Sequence, residues 1–247
     1  MKLLINASSN VGCVRKKNED MILVGHSFVR DETRSDEADL DRTDRYLVAL
    51  ADGMGGHSGG EVASSDVLYN LNYFYGDLPT GLKVGDFNEA IFEWLDSINT
   101  IIDSKSRSDM RFHNMGTTLV AFAHYAGEFY WMNCGDSRVY RMSDGILQQV
   151  STDHSLSNLM GESERSSVIT NCIGGGCKTS YIDLVNCTKN AVPGTLYMLC
   201  SDGLTDMVSD DEIQALLNDG ADATRLCDAA IEAGGYDNVS VSIIKIV

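Results

Sequence analysis

The spacing of apolar positions changes several times along the chain, and each change predicts an element. Leu3–Ala7 and Met21–His26 are short β-rich runs that predict two strands paired across the turn-rich segment 8–20. The acid-rich segment 31–45 carries no such period and reads as a solvated loop or hairpin tip. Tyr46–Ala51 is a continuous apolar run ending in Asp-Gly, the mark of a buried strand stopped by a tight turn. Val62, Ala63, Val67, Leu71 and Phe74 then recur at helical spacing over 59–75. Asp86 and Glu89 have the spacing of a capping box before a second helix, which places Phe87, Ile91, Leu95, Ile98 and Ile102 on one face.

The second half of the chain repeats this sequence of patterns. Thr117–Ala123, Glu128–Cys134, Arg138–Met142 and Ile146–Val150 are short strands separated by Gly or Asp-Gly turns, which predicts an antiparallel meander. An irregular stretch follows, then strands at Tyr181–Cys187 and Thr195–Cys200. Ser209 and Glu212 cap a third helix carrying Ile213, Leu216 and Leu217, Ala221–Ala233 forms a fourth, and Val239–Val247 closes as a strand. The order is strands, two helices, strands, two helices, strand. It lacks the alternation of a doubly wound parallel sheet and fits an α+β fold, two packed antiparallel sheets with helix pairs outside.

Composition narrows the picture. With 247 residues, 43% hydrophobic and only two prolines, and with no low-complexity linker or repeat, the chain reads as one domain over 1–247. Its start, MKLLINASSN, suits a first strand better than a secretory signal, and no segment has the length of apolar chain that spans a membrane. The seven cysteines are scattered without metal-ligand spacing, which fits free thiols in a reducing cytoplasm. A net charge of −17 disfavours nucleic acid and anionic membranes as partners.

The chemistry gathers at four Asp-centred turns, each against an apolar strand: Asp52-Gly53, Gly135-Asp136-Ser137-Arg138, Ser201-Asp202-Gly203 with Asp206 a helical turn on, and Gly235-Tyr236-Asp237-Asn238. Carboxylates at strand ends can converge on one edge of a sandwich although far apart in sequence. Hard divalent cations prefer such oxygen donors, and flanking glycines let carbonyls and phosphate oxygens come close.

These turns and their surroundings resemble the metal-dependent protein phosphatases (the PPM, or protein phosphatase type 2C, family) in compact bacterial form. The resemblance rests on GCVRKKNED (12–20), LVALADGMGGHSGGEVAS (47–64), MGTTLVA (115–121), NCGDSRVYRMSDGILQQVSTDHSL (133–156), LCSDGLTDMVSDDEI (199–213) and GYDNVSVSII (235–244), which follow the family's order over nearly the whole chain. It implies a four-layer αββα sandwich, and a serine/threonine protein phosphatase in which a metal-bridging hydroxide attacks phosphoserine or phosphothreonine. Two Mn²⁺ or Mg²⁺ ions would be held by Asp52 between them, the Gly53 carbonyl on one, and Asp202 with Asp237 on the other. Glu19 and Asp20 would hold metal-bound water, Asp136 would serve a third, weaker ion, and Arg15 would bind substrate phosphate. His57 is either the acid or water-orienting group or an ordinary cap of the following helix; His154 is expected to be structural. The flap segment, about 153–173, is shorter than the family's usual one and leaves substrate preference open. The expected partners are phosphorylated proteins, among them a serine/threonine kinase, with the protein acting as a monomer.

Overall fold

The computed structural model describes residues 1–55, 59–161 and 168–247. Its strands are β1 (Lys2–Asn10), β2 (Met21–Val24), β3 (Ser27–Val29), β4 (Thr33–Asp39), β5 (Arg45–Ala51), β6 (Gly53–Met54), β7 (Gly116–Thr117), β8 (Leu119–Tyr125), β9 (Glu128–Cys134), β10 (Arg138–Ser143), β11 (Ile146–Gln149), β12 (Ile173–Gly174), β13 (Asp183–Asn186), β14 (Leu196–Cys200) and β15 (Val239–Ile246). The helices are α1 (Gly59–Asp77), α2 (Val84–Ser108), α3 (Leu156–Met160), α4 (Asp202–Thr205), α5 (Asp210–Asn218) and α6 (Ala223–Glu232). Among the described residues one six-stranded sheet runs β11-β10-β14-β15-β1-β4 and a second runs β13-β9-β8-β5-β2-β3, with a small sheet β12-β7-β6 beside them. Every strand pairing in them is antiparallel. Among the described residues no helix is long and apolar enough to cross a membrane.

The continuous apolar strands are explained by burial on both faces. Alternate side chains of a strand point to opposite sides. In β5, Leu47, Ala49 and Ala51 face the core under α1 and α2, whereas Val48 and Leu50 face the core between the sheets. In β8, Leu119, Ala121 and Ala123 join the helix-side core, while Val120 and Phe122 join the inter-sheet core. The other sheet repeats the arrangement. Tyr197 and Leu199 of β14 point inward, and Leu196, Met198 and Cys200 point toward α4, α5 and α6. Three apolar cores therefore separate four layers in the order helices, sheet, sheet, helices, as the sandwich expected from sequence requires.

Four local expectations change. β1 and β2 do not pair: β1 lies between β15 and β4 in the first sheet, and β2 between β5 and β3 in the second. The segment 31–45 is not a loop throughout, because β4 pairs with β1 over Lys2–Ser8. It is an edge strand, and its exposed acids and arginine discourage pairing with another chain. The predicted meander is two hairpins in opposite sheets, β8–β9 and β10–β11, with the turn at 135–137 crossing between them. The Asp86–Glu89 capping box is absent. Helix α2 starts at Val84 with Lys83 as an N-cap that makes no side-chain bond, so Asp86 sits inside the first turn, where a carboxylate suits the positive helix end. The Ser209–Glu212 box is present as expected.

The inter-sheet core centres on Phe122, which is 1% exposed and stacks 5.7 Å from Phe129 and 4.5 Å from Tyr197. Phe122→Ala is expected to cost about 3–5 kcal/mol in urea unfolding. The same truncation at exposed Tyr73 should stay within about 0.5 kcal/mol.

Candidate metal centre

The acidic turns sit where chain leaves strands at one edge of the sandwich. Residues 11–20 join β1 of the first sheet to β2 of the second, and 135–137 join β9 of the second to β10 of the first. Asp52 follows β5 directly and precedes β6, Asp202 opens α4 after β14, and Asp237 lies in the turn before β15. Asn238 ties its own turn to the segment 11–20 at three points. Its amide donates to the carbonyls of Val11 (2.9 Å) and Lys17 (3.0 Å), and its side-chain oxygen accepts from Glu19 N at 2.8 Å. The turns also approach backbone to backbone. A Cβ on Gly203 would stand 1.9 Å from the Asn238 carbonyl oxygen, and one on Gly53 would stand 2.1 Å from that of Gly60, so only glycine fits at either place.

Hydroxyl side chains fix the carboxylates. Thr118 N and Thr117 Oγ1 donate to the Asp52 carbonyl at 2.9 and 2.8 Å, and Asp52 N donates to Thr118 Oγ1 at 3.1 Å. Thr118 Oγ1 also meets Ser137 Oγ at 2.7 Å, which joins the Asp52 turn to the Asp136 turn. Ser201 Oγ donates to Asp20 Oδ2 at 2.8 Å and accepts from Ser240 N at 3.0 Å. Buried His154 accepts at Nδ1 from Gly135 N (3.1 Å) and from Asn171 Nδ2 (2.8 Å), and its Nε2 lies 3.1 Å from Asp183 Oδ2. That is the structural place expected of it. Buried Asp153 takes a forked contact from Arg138, with Nε at 2.9 and 3.0 Å and Nη2 at 2.7 Å, and so anchors the far side of the Asp136 turn.

The charge in this edge is mutually unfavourable. Asp52 keeps some accessible surface. Its carboxylate nevertheless titrates well above the ordinary 3.8, because of burial first and then the nearby Asp20, Asp202, Asp136 and Asp237. Asp20 is pushed up to about 7 by burial, which outweighs the hydroxyls of Ser201 and Ser240; Asp202 and Asp237 add to the rise. Its Oδ1 is buried with no hydrogen-bond partner. Burial also raises Glu19, against the attraction of Arg15. Arg15 meets the cluster at its rim, with Nη2 2.6 Å from Asp237 Oδ2 and more than half its side chain exposed. That hydrogen bond and charge raise the guanidinium's own pKa.

A carboxylate set short of positive charge, with an unsatisfied buried oxygen, fits divalent cations by the chemistry of its donors. Among the described residues no group of three or more His, Cys, Asp or Glu side chains is drawn in tightly enough to hold an ion as it stands. Asp237 lies against Arg15 at the rim. Of the residues singled out in the sequence, the structure brings Asp20, Asp136, Asp202 and Asp237 within electrostatic reach of Asp52, with Glu19 and Arg15 beside them. Asp206 is exposed at the end of α4, and His57 lies outside the described residues. Sequence reasoning assigned no role to Thr117, Thr118, Ser201 or Asn238. Their only signal was adjacency to the aspartates, because Ser, Thr and Asn are ordinary turn residues.

The family profile for protein phosphatase 2C matches residues 25–231. Serine/threonine protein phosphatase PstP of Mycobacterium tuberculosis H37Rv is 31% identical over 98% of this chain, which spans only 44% of that relative's length. Serine/threonine phosphatase stp of Listeria monocytogenes serotype 4b is 30% identical, with 81% of this chain and 84% of that protein aligned. The crystal structure of the PstP catalytic domain in complex with two manganese ions superposes with a TM-score of 0.76 at 31% identity, covering 100% of both chains. The S. agalactiae serine/threonine phosphatase gives a TM-score of 0.83 at 24% identity over 99% of this chain and 100% of that one, a likeness of fold.

The raised Asp20 makes a linkage prediction. A carboxyl whose folded pKa of about 7 exceeds its ordinary 3.8 favours the fold when protonated; that stability is complete below 3.8 and lost as pH rises through 7. In EDTA the melting temperature should therefore fall across this window, and Mn²⁺ should raise it most at the alkaline end. Asp20→Asn should flatten the fall; a metal-free melting curve equally steep in that variant would contradict the assignment.

Proposed function

The chain belongs to the protein phosphatase 2C family, and on that basis we propose that it is a metal-dependent phosphatase of phosphoserine and phosphothreonine in proteins. The observation that carries the reading is the meeting of five aspartates, from turns of both sheets, at one edge with Arg15 at their rim. Asp52 would lie between two Mn²⁺ or Mg²⁺ ions, with the Gly53 carbonyl on one and Asp202 and Asp237 on the other. Asp136 would serve a third, and Glu19 and Asp20 would orient bound water. Such ions offset the charge of a phosphomonoester and make hydroxide available near neutral pH for attack on phosphorus in line with the leaving oxygen.

The chain's own residues do the rest. Arg15 can offer a phosphate two parallel N–H donors, and its place beside Asp237 puts that fork next to the carboxylates. The hydroxyls of Thr117, Thr118 and Ser201 hold Asp52 and Asp20 in place, so the acidic edge is organised before substrate arrives. The leaving serine or threonine oxygen needs a proton, and His57 is the residue assigned to give it or to orient water. None of the thiols is needed as a nucleophile. The whole of 1–247 would act as one catalytic unit and as a monomer, in the cytoplasm, where all seven cysteines stay free. A serine/threonine kinase phosphorylated in its own chain is a fitting substrate, and the −17 charge disfavours nucleic acid as a partner.

Mn²⁺-dependent hydrolysis of p-nitrophenyl phosphate and of a phosphothreonine peptide tests the reading. Asp202→Ala should lower kcat/KM by at least about 10³-fold, equal to about 4 kcal/mol, while the metal-free fold keeps its melting temperature. Arg15→Lys should lower kcat/KM on the order of tenfold, chiefly through KM, since an ammonium cannot make the forked contact. Intact Mn²⁺ binding with no turnover of either substrate would sink the proposal.

A further inference from the structure

Outside the carboxylate cluster, the loop that follows the flap brings two thiols together. Cys172 Sγ and Cys177 Sγ are 3.3 Å apart. Cys172 is buried, whereas Cys177 is partly exposed and lines a surface cavity of about 420 Å³ with Arg107, His113 and Lys178. Its exposure makes Cys177 the thiol that a dissolved oxidant can reach.

The same loop is attached to the acidic edge. Ile173 and Gly174 of β12 pair with Thr117 and Gly116 of β7, which pair in turn with Gly53 and Met54 of β6. Gly175 N donates to Met115 O at 2.8 Å, and Thr117 Oγ1 holds the Asp52 carbonyl. Asn99 of α2 braces the loop from behind, its Oδ1 accepting from Gly174 N at 2.7 Å and its Nδ2 donating to Cys177 O at 3.4 Å.

We propose that Cys172 and Cys177 form a redox modification site, at which a hydroperoxide converts the two thiols to one disulfide and disturbs the sheet that carries Gly53. The Cys177 thiolate attacks a peroxide oxygen; the S–O bond forms, the O–O bond breaks, and the departing hydroxide or alkoxide takes up a proton. Cys172 then attacks the Cys177 sulfur; the S–S bond forms, the S–O bond breaks, and hydroxide leaves as water with the Cys172 proton. Two electrons pass from the thiols to the peroxide. Burial raises the Cys172 thiol, which suits it to the second step rather than the first.

The coupling follows from packing. The sulfurs must close from 3.3 Å to the ~2.05 Å of a disulfide. Space for that movement is short, because a Cβ on Gly175 would stand 2.7 Å from Cys172 Sγ and 3.8 Å from Met54 Sδ. The backbone of 172–177 must shift, and β7 and β6 are the elements it is paired to.

The test uses the full chain, reduced, freed of reductant and titrated with hydrogen peroxide. The tryptic peptide 166–178, which contains both cysteines, should lose two hydrogens and regain them with dithiothreitol. The melting shift produced by Mn²⁺ should shrink on oxidation and recover with reduction, and phosphatase turnover should fall and recover severalfold in parallel. Cys177→Ser should show neither change while responding to Mn²⁺ like the reduced parent. Pairing of either thiol with Cys134, overoxidation without a disulfide, or a disulfide that leaves the Mn²⁺ shift unaltered would overturn the proposal. Only the turnover arm rests on the phosphatase reading; the mass and Mn²⁺ arms are independent of it.

Discussion

Repulsion among gathered carboxylates, buried or half-buried, is the constraint around which this protein is built. Asp20, Asp52, Asp136, Asp202 and Asp237 each sit close enough for the others to oppose the ionisation of Asp52. No chain would gather them for stability's sake, since burying like charges costs free energy unless a counter-charge is supplied. The fold meets that cost with rigid geometry. Glycines let the turns touch backbone to backbone, Asn238 bonds to the segment 11–20 at three points, the Thr117 and Ser201 hydroxyls donate to oxygens of Asp52 and Asp20, and the Thr118 hydroxyl accepts from Asp52 N. The resulting edge is unfavourable alone and favourable around cations, which is how a binding site stores its selectivity before the ligand arrives.

The sandwich exists to hold those turns. Each acidic turn belongs to a strand anchored in at least one apolar core, and the two turns that cross between sheets are anchored in both large sheets. The small sheet β12-β7-β6 has a different part. It ties the region after the flap to Asp52 through six residues of strand, with none of the wide apolar support that the large sheets enjoy. A perturbation at 172–177 therefore reaches the acidic edge through few bonds.

Much of this was legible in the sequence, for identifiable reasons. Continuous apolar runs such as Tyr46–Ala51 and the periodic helices around Val67 and Ile98 marked the layers. The Asp-Gly turns marked the site, because a carboxylate followed by glycine at a strand end is both a turn and a donor. The pairing of strands was not legible. β1 and β2 follow one another across a turn-rich segment, the ordinary mark of a hairpin, yet they sit in opposite sheets, and no local pattern distinguishes a turn within a sheet from a crossing between sheets. β4 failed for the opposite reason: an edge strand rich in acids has the composition of a loop. The capping pair at Asp86 and Glu89 failed because the helix had already begun at Val84, three positions before Phe87 buries its first large side chain. The supporting hydroxyls and Asn238 stayed invisible because their identity says turn, and only their partners say site.

The two-faced central strands carry a last consequence, for how such a chain can change length. Shifting β5 or β8 by one residue would exchange Val48, Leu50, Val120 and Phe122 with the alanines and leucines that face the helices, emptying one core while overfilling the other. Insertions and deletions are thus barred from the strands and confined to the connections. Families built on this frame must diversify by trading loop length, and connections such as the one between β11 and β12 are where the frame leaves room for it.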